Sequence, residues 1–417
     1  MSGTPELARR LGTGDAVVLG VGAMLGAGVF AAFAPAAAAA GAWLMVGLLL
    51  AGVVAWCNAT ASAQLAAQYP SSGGTYLYGR ERLGEWWGFL AGWGFVVGKT
   101  ASMAAMAMTF AAYSVPEPWQ RPTAVAAVVG IAALNYRGIT RTAALSRVLV
   151  AVVLAALSLA VTVAWTGGEP ETGRLALQLG EVGAYAVLQS AALLFFAFAG
   201  YARIATLAEE VRDPQRTIPR AITLALGLVV VVYAVVGATV LAVLGPGAVA
   251  TSTAPVAQTV ESTGWAWASP VVRVGAAAAS LGALLALVAG VGRTALAMGR
   301  QGDLPHWLAA VHPRFRVPHH AEVAVAVAVC VLVLTIDLRG AIGFSAFGVL
   351  VYYLVANLSA FTQTGHHRRY PRSLQVVGVL GCTLLALTVP GRSLALGVLA
   401  LAVGGGYRLW RRRHAGT

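Results

Sequence analysis

Four glycines crowd the first apolar segment of the chain. Gly20, Gly22, Gly26 and Gly28 lie within a run, residues 14–37, that is long enough to cross a bilayer. Each glycine inside a helix lowers helix propensity by about 1 kcal/mol relative to alanine, so the run predicts a helix that breaks near mid-membrane. A break leaves backbone N–H and C=O groups without partners in hydrocarbon. A bound zwitterion or ion can satisfy them, which is how discontinuous helices form transport sites.

The composition indicates a membrane protein. The chain has 417 residues, of which 59% are hydrophobic and 10% charged, whereas soluble domains carry about 25% charged residues. Arg9 and Arg10 precede the first run, and no cleavage site followed by a soluble domain comes after it, so we interpret the run as a first span and not a signal peptide. Cys57, Cys330 and Cys382 lie in apolar runs without metal-ligand spacing and are predicted to be reduced core residues.

Apolar runs along the sequence predict an all-α membrane protein of about twelve transmembrane helices, in a single domain over residues 1–417. Runs 4, 11 and 12 are short for a bilayer that needs about 20 residues. The predicted spans, numbered 1 to 12, are 14–37, 41–67, 84–113, 122–136, 143–165, 184–210, 219–244, 267–299, 320–336, 340–363, 373–389 and 393–408.

The positions of the arginines orient these spans. The formal net charge is +13, and most arginines fall in loops on one side, which the positive-inside rule assigns to the cytoplasm. We therefore predict a multi-pass protein of the cytoplasmic membrane with both termini inside. The excess of arginines over acidic residues therefore indicates the membrane topology and an attraction to anionic membrane lipid. It does not indicate nucleic-acid binding. The predicted outer arginines are Arg121, Arg174, Arg273, Arg339 and Arg392.

Span 6 carries a second predicted break. The Ala199-Gly200 pair is small and weakly helical, and it stands between Phe198 and Tyr201 near mid-membrane. The helix is predicted to stop near Asp213, and the next one to begin at Pro219, where proline suits a first turn. Corresponding interruptions in two halves predict an inverted-repeat transporter with a midplane site. The alternative is that these glycines only allow close helix packing.

The two interrupted spans begin the two halves. Residues 14–165 form the first predicted repeat of five spans, residues 184–363 form the second, and residues 373–408 add two extra helices.

Motifs over residues 10–320 follow one another in an order that is typical of one family. They are GVGAMLGAGVF at 20–30, YPSSGGTYLY at 69–78, the segment 84–93, LNYRG at 134–138, the segment 195–222 with LAEEVRDPQRTIPR, RQGDLP at 300–305 and VHPRF at 311–315. The chain resembles the amino acid–polyamine–organocation (APC) superfamily of permeases. The resemblance implies the LeuT-type five-plus-five inverted-repeat fold, alternating access and an amino-acid-type substrate.

The resemblance also implies a binding site at the two breaks. Family members hold the α-carboxylate on backbone N–H groups of helix 1 and the α-amine on carbonyls of both breaks. Physics supports this independently, because a helix N-terminus carries about half a positive charge and a C-terminus about half a negative one. In this sequence, the resemblance places the carboxylate site at Gly26, Ala27 and Gly28. It places the amine site at Ala23, Met24, Phe198 and Ala199, beside Gly200. The side-chain pocket would be shaped by Phe198, Tyr201 and Ile204.

Lys99 is the only lysine in the chain and lies near the middle of span 3. A charge at mid-bilayer costs about 2.5–3.5 kcal/mol on insertion scales, so such a residue is a functional candidate by default. Proton-coupled relatives carry a lysine on helix 5, where this sequence has none and the matching place falls near Val153. We therefore predict that Lys99 takes over proton coupling. The alternative is a lysine that bonds backbone carbonyls at the breaks and never titrates.

Four further charged residues are candidates for a cytoplasmic gate: Arg203, Glu209, Glu210 and Arg212. Arg203 lies three residues past the span 6 break. It either faces the pocket and repels cationic substrates, or it points to the cytoplasm and pairs with Glu209 or Glu210. The acidic residues fall in loops or near span ends, which favours proton coupling or exchange over sodium coupling. The pocket lining, aromatic and aliphatic without a carboxylate, favours neutral amino acids.

An enzyme is the disfavoured class, and no cofactor or metal is predicted. A membrane hydrolase or metalloenzyme needs His, Asp, Glu or Cys side chains that converge at membrane depth. The seven histidines fall in loops or in the tail instead. Two alternatives stay open: a nutrient sensor on a transporter fold that moves no ligand, and a carrier of polyamines or cationic amino acids. The sequence does not indicate an oligomeric state.

Overall fold

The computed structural model describes residues 11–69, 73–138, 143–177, 180, 182–205 and 211–414. Within these residues the secondary structure consists of α-helices and short 3-10 turns. Their one pairing of β type is an isolated parallel bridge between Leu11 and Val211. The predicted all-α fold is therefore confirmed.

Helices occur at each of the twelve predicted spans. Span 1 consists of three pieces, Thr13–Met24, Gly28–Ala31 and Phe33–Ala40, and span 6 of two, Ala184–Phe198 and Ala202–Ala205. The other spans are Leu44–Gln68, Glu85–Ser114, Glu117–Tyr136, Ala143–Gly167, Pro214–Thr251, Ser269–Arg300, His319–Thr335, Leu338–Phe361, Arg372–Thr388 and Gly391–His414. Two connecting helices, Gly74–Leu83 and Pro255–Glu261, lie between spans.

The lengths of these helices fit a membrane. Nine helical stretches in the described residues are long and apolar enough to cross one, and spans 9 and 11 are shorter apolar helices of 17 residues each. Span 4 has 20 residues, five more at its start than the apolar run suggested. The chain is a multi-pass membrane protein.

Span 7 begins earlier than predicted, at Pro214 and not at Pro219. Asp213 precedes it in a left-handed conformation (φ 45°), and Pro214 takes the first-turn position where the missing N–H costs nothing. Pro219 thus lies inside the helix, where it cannot donate to the carbonyl of Gln215. The guanidinium of Arg369 donates to that carbonyl instead, which compensates for the internal proline.

Successive spans run in alternate directions between two faces of the bundle. We call the face with the start of span 1 and the end of span 12 the terminal face. Asp15, at the start of span 1, pairs there with Arg147 of span 5 (2.5 Å). On the opposite face the N–H of Gly264 donates to the carbonyl of Gly167 at the end of span 5 (3.3 Å).

Both predicted interruptions are present. The first helix stops at Met24 and resumes at Gly28, and the sixth stops at Phe198 and resumes at Ala202. Local sequence accounts for both, because each gap contains glycine, which lowers helix propensity. The internal repeat that the paired breaks suggest stays a prediction.

Candidate substrate site at the two helix breaks

The two breaks contact each other through their backbones. A Cβ atom on Gly28 would lie 2.6 Å from the Cα of Ala197 in span 6. A Cβ atom on Gly200 would lie 2.3 Å from the carbonyl oxygen of Ala23 in span 1. Only glycine allows such an approach, because any side chain would overlap the facing backbone. The same glycines that weaken the helices therefore also bring the breaks together.

Tyr233 of span 7 binds both breaks at once. Its hydroxyl oxygen lies 2.6 Å from the carbonyl oxygen of Met24 and 2.9 Å from that of Ala197. Its ring packs against Phe198 with the centroids 5.1 Å apart. The hydroxyl can donate to either carbonyl, so one side chain partly satisfies two backbone groups that the interrupted helices leave open.

Lys99 binds the span 6 break from the other side. Its ammonium nitrogen donates to the carbonyl oxygen of Ala199 over 3.0 Å, and only 6% of the residue is exposed. A hydrogen bond from an ionised donor is stronger than a neutral one. The only lysine of the chain thus contacts a carbonyl predicted to bind the substrate amine. This contact also fits the alternative of a lysine that only bonds the break.

The N–H groups at the span 1 break are open. Those of Gly26, Ala27 and Gly28 make no hydrogen bond within the described part of the chain. Unpaired N–H groups at the start of a helical segment favour an anion through their partial positive charge. The predicted carboxylate position therefore has its donors available.

A cavity of about 350 Å³ adjoins both breaks. This is within the roughly 300–1,000 Å³ typical of small-molecule sites. From the breaks its lining follows one side of span 8 from Ala283 to Ala297, close to the end of that helix, and includes Tyr76 of the connecting helix. The cavity therefore extends from mid-bundle toward the terminal face. Its lining at the breaks comprises Ala23, Met24, Gly26, Ala27, Gly28, Phe196, Ala197, Ala199 and Gly200.

Three residues predicted to shape the side-chain pocket lie in the packing behind the breaks. Phe198 contacts Tyr233, Tyr201 stacks on Tyr353 at 4.9 Å between centroids, and Ile204 fills the space beside Gly20. All three are fully buried. In this conformation the cavity wall instead includes Phe196, on the other side of the same helix.

The structure describes two of the four predicted gate residues, Arg203 and Arg212. Arg203 lines the cavity. Arg212 lies at the terminal face, where its N–H donates to the carbonyl of Leu11 (2.9 Å). Glu209 and Glu210 lie outside the residues that the structure describes, so the predicted pairing of Arg203 with them stays a prediction.

Toward the opposite face, Tyr113 of span 3 makes contacts with two other segments. The Tyr113 hydroxyl donates to the carbonyl of Phe30 in the second piece of span 1 (2.9 Å), and it accepts from the N–H of Val256 (3.3 Å). The Phe30 and Tyr113 rings also meet edge to face, 5.5 Å apart. One tyrosine thus joins span 1, span 3 and the connecting helix Pro255–Glu261.

An ion pair extends these contacts. Glu261, at the end of that connecting helix, accepts hydrogen bonds from Ser269 (2.6 Å) and from Arg273 of span 8 (2.8 Å). Arg273 also donates to the carbonyl of Tyr113 (3.3 Å). Burial raises the pKa of Glu261, but the hydrogen bonds from Ser269 and Arg273 and the charge of Arg273 lower it by more, so the pKa lies below its ordinary value.

At the terminal face a buried aspartate joins three segments. Asp303, after span 8, accepts from the Tyr76 hydroxyl (2.8 Å) and from Arg80 (3.0 Å), both on the connecting helix Gly74–Leu83. Its other oxygen pairs with Arg408 of span 12 (3.2 Å). Burial and the hydrogen bond to Asp303 raise the pKa of Tyr76. Sequence reasoning identified the RQGDLP motif but not this role of its aspartate.

The structure gives no sign of a metal centre in the parts that it describes. There, no three His, Cys, Asp or Glu side chains converge in a way that could hold an ion. The expectation that the protein is not an enzyme stays a prediction.

Comparison with known proteins decides the family. A family model described as "Amino acid permease" matches residues 11–403. The chain belongs to the amino acid permease family. The resemblance to APC permeases is thus confirmed.

The permease is similar to transporters from bacteria and plants. It is 56% identical over 399 residues to an uncharacterized transporter of Mycobacterium tuberculosis, a match that covers 96% of this chain and 90% of that protein. It is 25% identical to the branched-chain amino acid permease BcaP of Bacillus subtilis, over 99% of this chain and 95% of that one. It is 28% identical to the chloroplastic cationic amino acid transporter 7 of Arabidopsis thaliana, a match that covers 85% of this chain and 66% of that protein.

Proposed function

We propose that the permease carries amino acids across the cytoplasmic membrane by secondary active transport with alternating access. One observation carries the proposal: a cavity of amino-acid size joins open N–H groups at Gly26, Ala27 and Gly28 to the span 6 break, where Lys99 donates to the carbonyl of Ala199. The α-carboxylate would bind the N–H groups and the α-amine the carbonyls. A zwitterion suits both positions, because helix starts attract anions and helix ends attract cations.

Lys99 would couple substrate binding to a proton. Its ammonium group occupies the Ala199 carbonyl, and the substrate amine would compete for the same oxygen. Two cations about 4 Å apart repel by about 4 kcal/mol at an effective dielectric constant of 20. A bound substrate amine would therefore make Lys99 either move away or release its proton. This supports proton coupling or exchange.

We further propose a preference for neutral amino acids over cationic ones. Lys99 and Arg203 line the cavity, and the described lining contains no aspartate or glutamate that would attract a cationic side chain. The names of the relatives point both ways, to branched-chain and to cationic amino acids. The proposed preference for neutral amino acids therefore rests on the positive charge of the cavity wall.

The terminal face would be cytoplasmic, because arginine-rich loops favour the inside. The cavity reaches toward that face, and Tyr113 and Glu261 close the opposite one. The conformation would then be inward-facing. An outward-facing state would require the Tyr113 contacts to separate. It would also require the cavity to close at the terminal face, near Asp303 and its partners Tyr76, Arg80 and Arg408.

Counterflow of labelled amino acids in proteoliposomes tests the function, with and without a proton gradient. We expect exchange of neutral amino acids and stimulation by the gradient. Lys99→Met should abolish the stimulation. Lys99→Arg keeps the positive charge but does not release a proton, so loss of the stimulation in this variant as well would show that proton release, and not charge alone, is needed. Stimulation that persists in a well-folded Lys99→Met variant would refute the coupling role. Binding without counterflow would indicate a sensor, and exchange of cationic substrates alone would refute the preference.

A further inference from the structure

Arg293 is an exposed cation inside span 8. It lines the cavity together with Gly290 and Thr294, although Ala266–Arg300 is otherwise apolar enough to cross a membrane. Within the described residues its guanidinium donates no hydrogen bond and forms no ion pair. A charged side chain inside a span normally marks a ligand or ion pathway, and sequence reasoning did not account for this one.

The helix geometry directs Arg293 toward the breaks. Ala283, on the same helix, faces the Gly26 position of span 1, and ten residues of α-helix separate the two positions by about 15 Å along the axis. Side chains on a helix tilt toward its N-terminus, which here is the direction of Ala283. The guanidinium therefore lies in the cavity between the breaks and the terminal face.

Among the residues that the structure describes, the cavity lining contains no acidic group that would neutralise this cation. Glu322 of span 9 acts on Arg293 electrostatically, but the two form no ion pair. Glu322 itself is 2% exposed and packs against Gly292, beside the cavity and not in it. The other charged residues of the described lining, Lys99 and Arg203, are cations.

We propose that Arg293 is a second carboxylate-binding position, in the vestibule between the helix breaks and the terminal face. The inference rests on the proposed function, because it places this position on the route of the same substrate. A guanidinium offers a planar fork of donors that matches a carboxylate in two parallel hydrogen bonds. The carboxylate belongs either to the backbone of any amino acid in transit or to the side chain of an acidic one.

A protection experiment on the purified permease tests the position directly. Phenylglyoxal modifies exposed arginines, and peptide mass spectrometry reports the rate at each site. Glutarate, a dicarboxylate without an amine, should slow modification of Arg293 about tenfold, as expected for a charge-assisted pair. Arg300 is the internal control, because it lies on the same helix, is exposed and does not line the cavity. Equal rates with and without glutarate at both sites would overturn the proposal.

Binding measurements then identify the source of the carboxylate. The affinities of L-leucine, L-glutamine and L-glutamate are compared in the unaltered permease, Arg293→Gln and the control Arg300→Gln. Weaker binding of all three in Arg293→Gln alone supports the α-carboxylate, and weaker binding of glutamate alone supports the side chain. Unchanged affinities for all three would overturn the proposal. A permease that binds no amino acid refutes the proposed function, and the glutarate experiment still decides the role of Arg293.

Discussion

The hydroxyl oxygen of Tyr233 lies 2.6 Å from the carbonyl oxygen of Met24, although 209 positions separate the two residues in the sequence. The same hydroxyl reaches the span 6 break at Ala197. Because the two interrupted helices have lost their own hydrogen bonds here, a third helix supplies a donor that both share. Span 7 is therefore part of the candidate site, although it carries no residue that the sequence marked as functional.

Removing this hydroxyl should weaken the breaks without changing the shape of the core. Tyr233→Phe leaves two buried carbonyls without their shared donor, which costs about 1–3 kcal/mol. Thermal unfolding in detergent, followed by the reactivity of the buried Cys57 and Cys382, should show a lower midpoint. Tyr185→Phe is the control, because Tyr185 is 57% exposed. Equal midpoints for the two variants would contradict the shared-donor role.

The backbone contact at Gly200 should be essential for transport. Gly200→Ala places a methyl group 2.3 Å from the Ala23 carbonyl oxygen. This overlap can be relieved only if one backbone segment moves, which separates the two breaks. We expect loss of uptake and a destabilisation of about 1–3 kcal/mol. Gly227→Ala is the control, because nothing lies within 4 Å of its new methyl group. Normal uptake by Gly200→Ala would show that the breaks need not touch.

The stability of the permease should depend on pH through Glu261, whose ion pair with Arg273 lies toward the opposite face. Its pKa in the folded permease lies below the ordinary 4.5, so its ion pair with Arg273 stabilises the fold above that value. The stabilisation is lost as the pH falls through the lowered pKa, when the carboxylate is protonated.

Unfolding midpoints measured from about pH 7 to about pH 3.5 check this. The unaltered permease should exceed Glu261→Gln at neutral pH, and the difference should shrink below about pH 4.5. Glu169→Gln, which changes an exposed acid after span 5, should follow the unaltered curve. A difference that stays constant over the whole range would exclude an ionised Glu261 as the cause.

The Asp303 and Arg408 pair should couple span 12 to the end of span 8. Their side chains are only 5% and 4% exposed. Removal of one partner leaves the other charge buried with its second partner only, Arg80 for Asp303 and Glu85 for Arg408, so the cost should lie below the about 3–5 kcal/mol of a fully uncompensated buried charge. Asp303→Asn and Arg408→Gln should each lower the unfolding midpoint strongly, and the double variant less than the sum of both. Glu117→Gln, an exposed acid at the start of span 4, is the control. Additive effects would refute the coupling.

Most of the span map follows from local sequence. Apolar runs predict where helices cross, and the arrangement of glycines predicts breaks at Gly26 and Gly200, because helix propensity is a property of neighbouring residues. The misplaced start of span 7 has a specific cause. Pro219 reads as a first-turn proline, but the side chain of Arg369 compensates for it inside the helix, and this partner is 150 positions away.

The sequence by itself determined a multi-span permease with two interrupted helices, because hydrophobicity, charge asymmetry and helix propensity act within short stretches of chain. Only the tertiary structure decided which side chains reach those interruptions. The contacts of Tyr233 and Lys99 with the breaks, and the exposure of Arg293 in the cavity, join residues from different spans. Helix packing fixes them, and no local pattern in the sequence records how twelve similar apolar helices pack.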